Sequence, residues 1–195
     1  MATTPEPPAD DRHWTVDDYM QLDDDRRWEV LEGELVMVPS PNIHHQRSVT
    51  RFGTLLDQHV TEHDLGACFD APFDVVLDRD TVLQPDFTFV RADRLEELYD
   101  GHCITGPPDM VVEILSESTA SRDRTQKHRL YGEYGVEWLL FIEPEEHWVE
   151  VFRLRDDEYT LEVEAEDDET LEFGLFPDLA VDLADVWFEM PGASG

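Results

Sequence analysis

The sequence predicts an α/β (α+β) chain, a mixed β-sheet core flanked by helices. Three observations carry this. Residues 110–115 (MVVEIL) form a short apolar run rich in Val and Ile, the pattern of a strand buried on both faces. Residues 122–134 follow with helical spacing, and residues 136–142 are again apolar and strand-like, so strand, helix and strand make a crossover unit. Short alternating runs punctuated by Gly, Pro and Asp surround that unit, and this order of strands and helices suits a sheet with helices packed against it.

In chain order, residues 1–13 are rich in Pro and Asp and predict a disordered tail, followed by one domain over residues 14–190. Thr15 and Asp18 are spaced as a capping box that opens a short helix through Leu22. Residues 28–38 (WEVLEGELVMV) read as a hairpin with Glu32-Gly33 at the turn. Pro39-Ser40-Pro41 ends it, and Ser40 is placed to cap a helix whose first residue is Pro41 and which runs to about His63. Phe52, Leu55, Leu56 and Val60 mark the inward face of that helix.

Residues 67–77 predict one strand interrupted by Pro72, and residues 82–90 a second. In the second, alternation puts Asp86, Thr88 and Val90 on one face and Phe87 and Phe89 on the other, while Pro85 sets the start at an edge or bend. Residues 91–99 read as a short helix or turn. Beyond the central unit, residues 147–154 return antiparallel to 136–142, residues 159–165 and 171–173 form short strands, and residues 181–188 close as a helix.

Charge is the unusual feature of the composition. Against 14 basic residues stand 47 acidic ones, giving a formal net charge of −33. Such a chain repels nucleic acid in dilute buffer. Adaptation to a salty interior and mimicry of nucleic acid both account for it. Acid spread along the whole chain, with Lys127 the only lysine, favours salt adaptation; at 1 M salt, screening shortens repulsion to roughly 3 Å. Two cysteines, Cys68 and Cys103, make no disulfide framework. The first residues lack the apolar stretch of a signal peptide, and no run nears the roughly 18 residues that span a bilayer. The expectation is a cytoplasmic protein with no membrane partner.

Glu113 interrupts the buried run, and a buried carboxylate must meet a metal, a proton or a cation. Lys127, with Leu130, Tyr131 and Tyr134, falls on the helix face turned toward that strand, whereas Arg122 and Arg129 fall on the opposite side. A snorkelling or salt-bridging lysine is the plainer alternative. Asp86, after Pro85, completes a set in which two carboxylates from neighbouring strands hold a hard divalent cation and a lysine assists an attacking water.

This pattern resembles the PD-(D/E)xK nuclease superfamily and, within it, the Uma-type endonuclease family. The likeness rests on residues 28–35 (WEVLEGEL), 40–47 (SPNIHHQR), Gln84-Pro85-Asp86, 106–118 (GPPDMVVEILSES), 123–131 (DRTQKHRLY) and 136–144, and extends over roughly residues 14–188. The superfamily pattern sets a lysine two residues beyond the strand carboxylate. Leu115 stands there; the resemblance moves the lysine to the next helix, where Lys127 stands.

The resemblance implies a restriction-endonuclease-like fold and a Mg2+- or Mn2+-dependent endonuclease acting on DNA. Asp86 and Glu113 would be the metal ligands and Asp86, Glu113 and Lys127 the catalytic set. Glu29, Glu34 and His45 match further family positions, and Tyr131 lies beside Lys127. Arg47, Arg51, Arg122 and Arg124 form the basic clusters able to contact nucleic acid. A homodimer is expected by analogy with nucleases that cut two strands. The competing expectations are an idle nuclease fold serving as an interaction module and an acidic mimic of nucleic acid.

Overall fold

Strands that are apolar on both faces need cover on both sides, and the fold supplies it. The computed structural model describes residues 12–23 and 26–188; residues 1–11 of the expected tail, and residues 189–190 at the expected domain end, lie outside them. Its principal sheet has six strands. They are β3 (Gly66–Asp70), β6 (Phe87–Arg91), β8 (Met110–Ile114), β9 (Trp138–Glu143), β10 (Trp148–Arg155) and β11 (Glu158–Glu166), in the order β11-β10-β9-β8-β6-β3. β8 and β9 are parallel and the other neighbours antiparallel, so the sheet is mixed as expected.

On one face lies the helix α2 (Ile43–Glu62), whose Phe52, Leu56 and Val60 pack with Phe87, Phe89, Met110, Val112, Trp138 and Leu140. The other face carries Val90, Val111, Leu139 and Phe141, covered by Leu130 and Tyr131 of α5 (His128–Tyr134). The period-2 alternation thus sorts each strand between two cores, and each fully buried large apolar side chain contributes about 1.5–3 kcal/mol. Gly135, with φ 85°, ends α5.

A second, five-stranded sheet runs β2-β1-β5-β4-β7, from β1 (Trp28–Leu31), β2 (Glu34–Met37), β4 (Val75–Asp78), β5 (Thr81–Leu83) and β7 (Ile104–Thr105). The expected β1–β2 hairpin is present, turning through Glu32 (φ 53°) and Gly33 (φ 83°), a left-handed pair that suits the strand twist. The capping box of Thr15 and Asp18 is also present, but α1 is short, Val16–Tyr19, and does not reach Leu22.

Four expectations are corrected. The segment 67–77 is two strands in different sheets, β3 and β4, and 82–90 is likewise two, β5 and β6. Pro72 and Pro85 have no N–H for a ladder, so the chain changes sheet at each proline instead of merely bending. The cap of α2 is Asn42, whose side chain accepts the His45 N–H, and not Ser40; Pro41 lies outside the helix. Residues 181–188 form no α-helix: Val181–Asp182 is β13, pairing with β12 (Thr170–Leu171), and Leu183–Asp185 is a 3-10 turn capped by the Asp182 carboxylate. Finally, β7 gave no signal; two residues are too few for a period.

Both cysteines are free thiols. Burial pushes Cys68 well above the usual thiol range, with Asp57 and Asp70 adding to it, and burial with the Asp100 hydrogen bond takes Cys103 up to about 11. From an ordinary 9.0, this leaves Cys103 with about a hundredfold less thiolate. Iodoacetamide labelling of the native protein in mildly alkaline buffer should therefore be slow at both sites and become fast in denaturant. Rapid labelling of the native state would contradict this packing.

Candidate active site

Strand break, strand and helix converge on one pocket. Asp86 sits just before β6, where Pro85 has ended the ladder. The last β6–β8 pair is Phe87 with Val112, and beyond it the Asp86 carboxylate accepts the Ile114 N–H at 2.8 Å. That bond fixes Asp86 against the strand that carries Glu113. His45, in the first turn of α2, meets the same Asp86 oxygen through Nε2 at 3.1 Å. Glu29 reaches the pocket from β1, where its Oε1 accepts the Gln84 N–H at 2.9 Å.

Lys127 stands at the centre of this arrangement. Its Nζ lies 2.9 Å from Glu29 Oε1, 3.0 Å from Glu113 Oε1 and 3.6 Å from Asp123 Oδ1. The Tyr131 hydroxyl, one turn on, donates to the same Glu113 oxygen. Exposures of 1% for Glu29, 7% for Asp86, 3% for Glu113, 3% for Asp123 and 5% for Lys127 decide the electrostatics: three buried carboxylates share one buried ammonium, and a fourth, Asp86, is buried beside them against His45. Burial pushes Glu113 well above the ordinary carboxylate range, against the pull of Lys127, and the neighbouring Asp123, Asp86 and Glu29 add to the rise. Asp123 is raised for the same first reason. Burial also opposes the charge on Lys127, but Glu113, then Glu29 and Asp123, outweigh it and hold the ammonium well above the usual lysine value. Tyr131 is raised by burial and by Glu113, so it remains a donor.

The helix bearing Lys127 is not uniform. A short α segment, α4 (Ala120–Arg122), leads into a π turn over Asp123–Lys127 and then into α5. In that turn the His128 N–H bonds the Asp123 carbonyl, five residues back, so α-helical spacing does not carry across it. Arg122, placed opposite Lys127 by α-helical spacing, lines the pocket with it. This is a correction that periodicity could not supply, because the widened turn has no sequence signature.

Of the residues singled out above, Asp86, Glu113, Lys127, Glu29, His45 and Arg122 line the pocket, and Tyr131 lies directly behind Glu113. The others do not line it. Glu34 is exposed at the start of β2. Arg124 is held by Glu150 at 2.7 and 3.2 Å, Arg51 donates to the Trp187 carbonyl, and Arg47 lies over the Phe188 ring. Two charged pocket residues escaped the sequence analysis, Asp123 and Arg27. Asp123 carried a signal, since it precedes Lys127 by four positions and so shares its helix face.

The model of the family described as "Uma2: Putative restriction endonuclease" matches residues 16–184. The chain belongs to this family. The match spans every element that brings a side chain to the pocket. Among solved structures, the chain is similar to one described as a "putative nuclease belonging to DUF820" from Anabaena variabilis ATCC 29413, with a TM-score of 0.73 at 19% identity, covering 89% of this chain and 97% of that one. At this identity the likeness shows the fold, which is the restriction-endonuclease-like mixed sheet flanked by helices. No curated protein matches the chain. Among the described residues no helix is long and apolar enough to cross a membrane.

Proposed function

We propose that this Uma2-family chain is a metal-dependent endonuclease that hydrolyses phosphodiester bonds in DNA. One observation carries the reading: the sole lysine is buried within 3.0 Å of carboxylates from two different strands, beside Asp86. A salt bridge kept only for stability would be a poor use of such a position, since replacing buried pairs by apolar groups is often neutral or stabilising.

The donor set suits a hard cation. The four buried carboxylates outnumber the cations that line the pocket with them, Lys127, Arg27 and Arg122, and uncompensated buried charge is costly. Among the described residues no group of three or more His, Cys, Asp or Glu is disposed as a metal cage. Mg2+ or Mn2+ would take Asp86 and Glu113 and complete its shell with oxygens of water and substrate, the habit of Mg2+. When bound, such a cation supplies Lewis-acid polarisation of the phosphoryl group. The chain's own groups do the positioning. The Ile114 N–H and His45 hold Asp86, Tyr131 holds Glu113, and Lys127 neutralises charge that grows on the phosphoryl oxygens. Arg122 offers a phosphate contact at the pocket wall.

Salt adaptation accompanies this reading. Exposed acids occur on α1 (Asp17), α2 (Asp57, Glu62), α3 (Leu95–Leu98; Glu96, Glu97) and the edge strand β11 (Glu158, Glu162, Glu164), not on one face as a mimic of nucleic acid requires. The test is incubation of supercoiled plasmid with the protein and Mg2+ or Mn2+ across KCl concentrations up to the molar range. Nicked or linear product is expected at high KCl and its loss with chelator. Intact plasmid under every condition, with the protein folded and no Mn2+ uptake by calorimetry, would leave the idle-module alternative standing.

A further inference from the structure

Arg27 lies just ahead of β1, lines the pocket with Lys127 and Asp86, and its terminal nitrogen Nη2 is buried without a hydrogen-bond partner. The rest of the side chain is firmly held. Its Nε donates to Gln84 Oε1 at 3.1 Å, and the Gln84 amide nitrogen is fixed by Tyr19 Oη at 3.1 Å and Asp74 Oδ1 at 2.9 Å. Gln84 also presents the N–H that holds Glu29. A guanidinium is always charged, and a buried donor on it that no protein acceptor satisfies is costly. Such a donor on a pocket wall is open to an acceptor that enters the pocket. Pocket carboxylates are near, yet none is bonded to this nitrogen, so the acceptor still required is an oxygen brought from outside.

We infer that Arg27 is a substrate-binding residue whose free donor takes a phosphate oxygen of the nucleic-acid strand being cut. This rests on the nuclease reading above and adds to it the group that grips the phosphate. An arginine suits the task because its planar fork bonds phosphate oxygens with fixed geometry. The Val38 N–H bonds the Arg27 carbonyl at 3.0 Å, and beyond it the pocket wall runs through residues 39–41, which have no regular secondary structure and contain two prolines unable to donate to a ladder. This is the segment that can ease back to admit the strand.

The test is binding of a fluorescein-labelled DNA duplex, and of its single strand, by anisotropy across a KCl series with Ca2+ in place of Mg2+. Arg27→Gln should weaken binding about tenfold, and its plot of log K against log salt should be shallower by roughly 0.7–0.9, the loss of one phosphate contact. Arg27→Lys should restore the slope but not the full affinity, since an ammonium keeps the charge without the fork. Arg155→Gln removes the same charge at the surface pair with Glu162 and should leave the slope unchanged. An Arg27→Gln slope equal to that of the wild type, with both proteins folded by circular dichroism, overturns the assignment while the nuclease reading stands. A wild type that binds neither DNA overturns both.

Discussion

Lys127→Met should lower the rate of plasmid cleavage by about a hundredfold to a thousandfold, the usual cost of removing one preorganised group that meets transition-state charge. It should also lower stability by about 3–5 kcal/mol, because it removes one partner from a buried ionic cluster and leaves Glu29, Glu113 and Asp123 facing one another. The two effects are separable. Added Mn2+ should restore part of the lost thermal stability by supplying another cation to the same carboxylates, but should not restore the rate. Lys127→Arg keeps the charge with a different shape and should fold better than the methionine variant while remaining slow. Equal cleavage by wild type and a folded Lys127 variant would remove this residue from the mechanism.

Glu113→Gln should have the same sign on activity and the opposite sign on stability. Its amide oxygen can still accept from Tyr131 and Lys127, so the hydrogen bonds persist while the costly charge is gone. In the wild type the folded carboxyl sits well above its ordinary 4.5, chiefly because it is buried. A folded pKa raised in this way contributes stability that is whole below 4.5 and is lost as pH rises through the folded value. The gain of Glu113→Gln over wild type, measured by thermal unfolding with chelator present, should thus be absent in acid and widen to about 1 kcal/mol or more toward neutrality. Adding Mn2+ reverses the comparison. Wild type gains about 2.7 kcal/mol at a hundredfold excess over Kd, and the glutamine variant gains little. A glutamine variant stabilised by Mn2+ as strongly as wild type would show that Glu113 is not a ligand.

These two positions also show how far local patterns reach. Glu113 was legible because a carboxylate inside an apolar, β-branched run contradicts everything around it. Lys127 was legible because it is unique and lies on the apolar side of its helix. Asp86, a carboxylate after Pro85 at the start of a neighbouring strand, completed the set, and family likeness agreed with it. Glu34 was singled out by family likeness and Arg124 by membership of a basic cluster, yet one faces solvent and the other is neutralised by Glu150, since neither signal says which way a side chain turns. Arg27 gave no signal at all: an arginine before a hairpin is ordinary until Gln84, distant along the chain, fixes it at the pocket wall.

By itself the sequence determined which segments are strands buried on both faces, the β1–β2 turn, the α1 cap, and the odd charges at Glu113 and Lys127, all of which follow from side-chain period and backbone preference over a few residues. Only the tertiary structure decided that Pro72 and Pro85 divide strands between two sheets, that Glu29 reaches the lysine from β1, and that Gln84 fixes Arg27 at the pocket wall. The reason is physical: each of those outcomes depends on which distant backbone donor or charge arrives to satisfy a group, and no local pattern encodes the identity of a partner dozens of residues away.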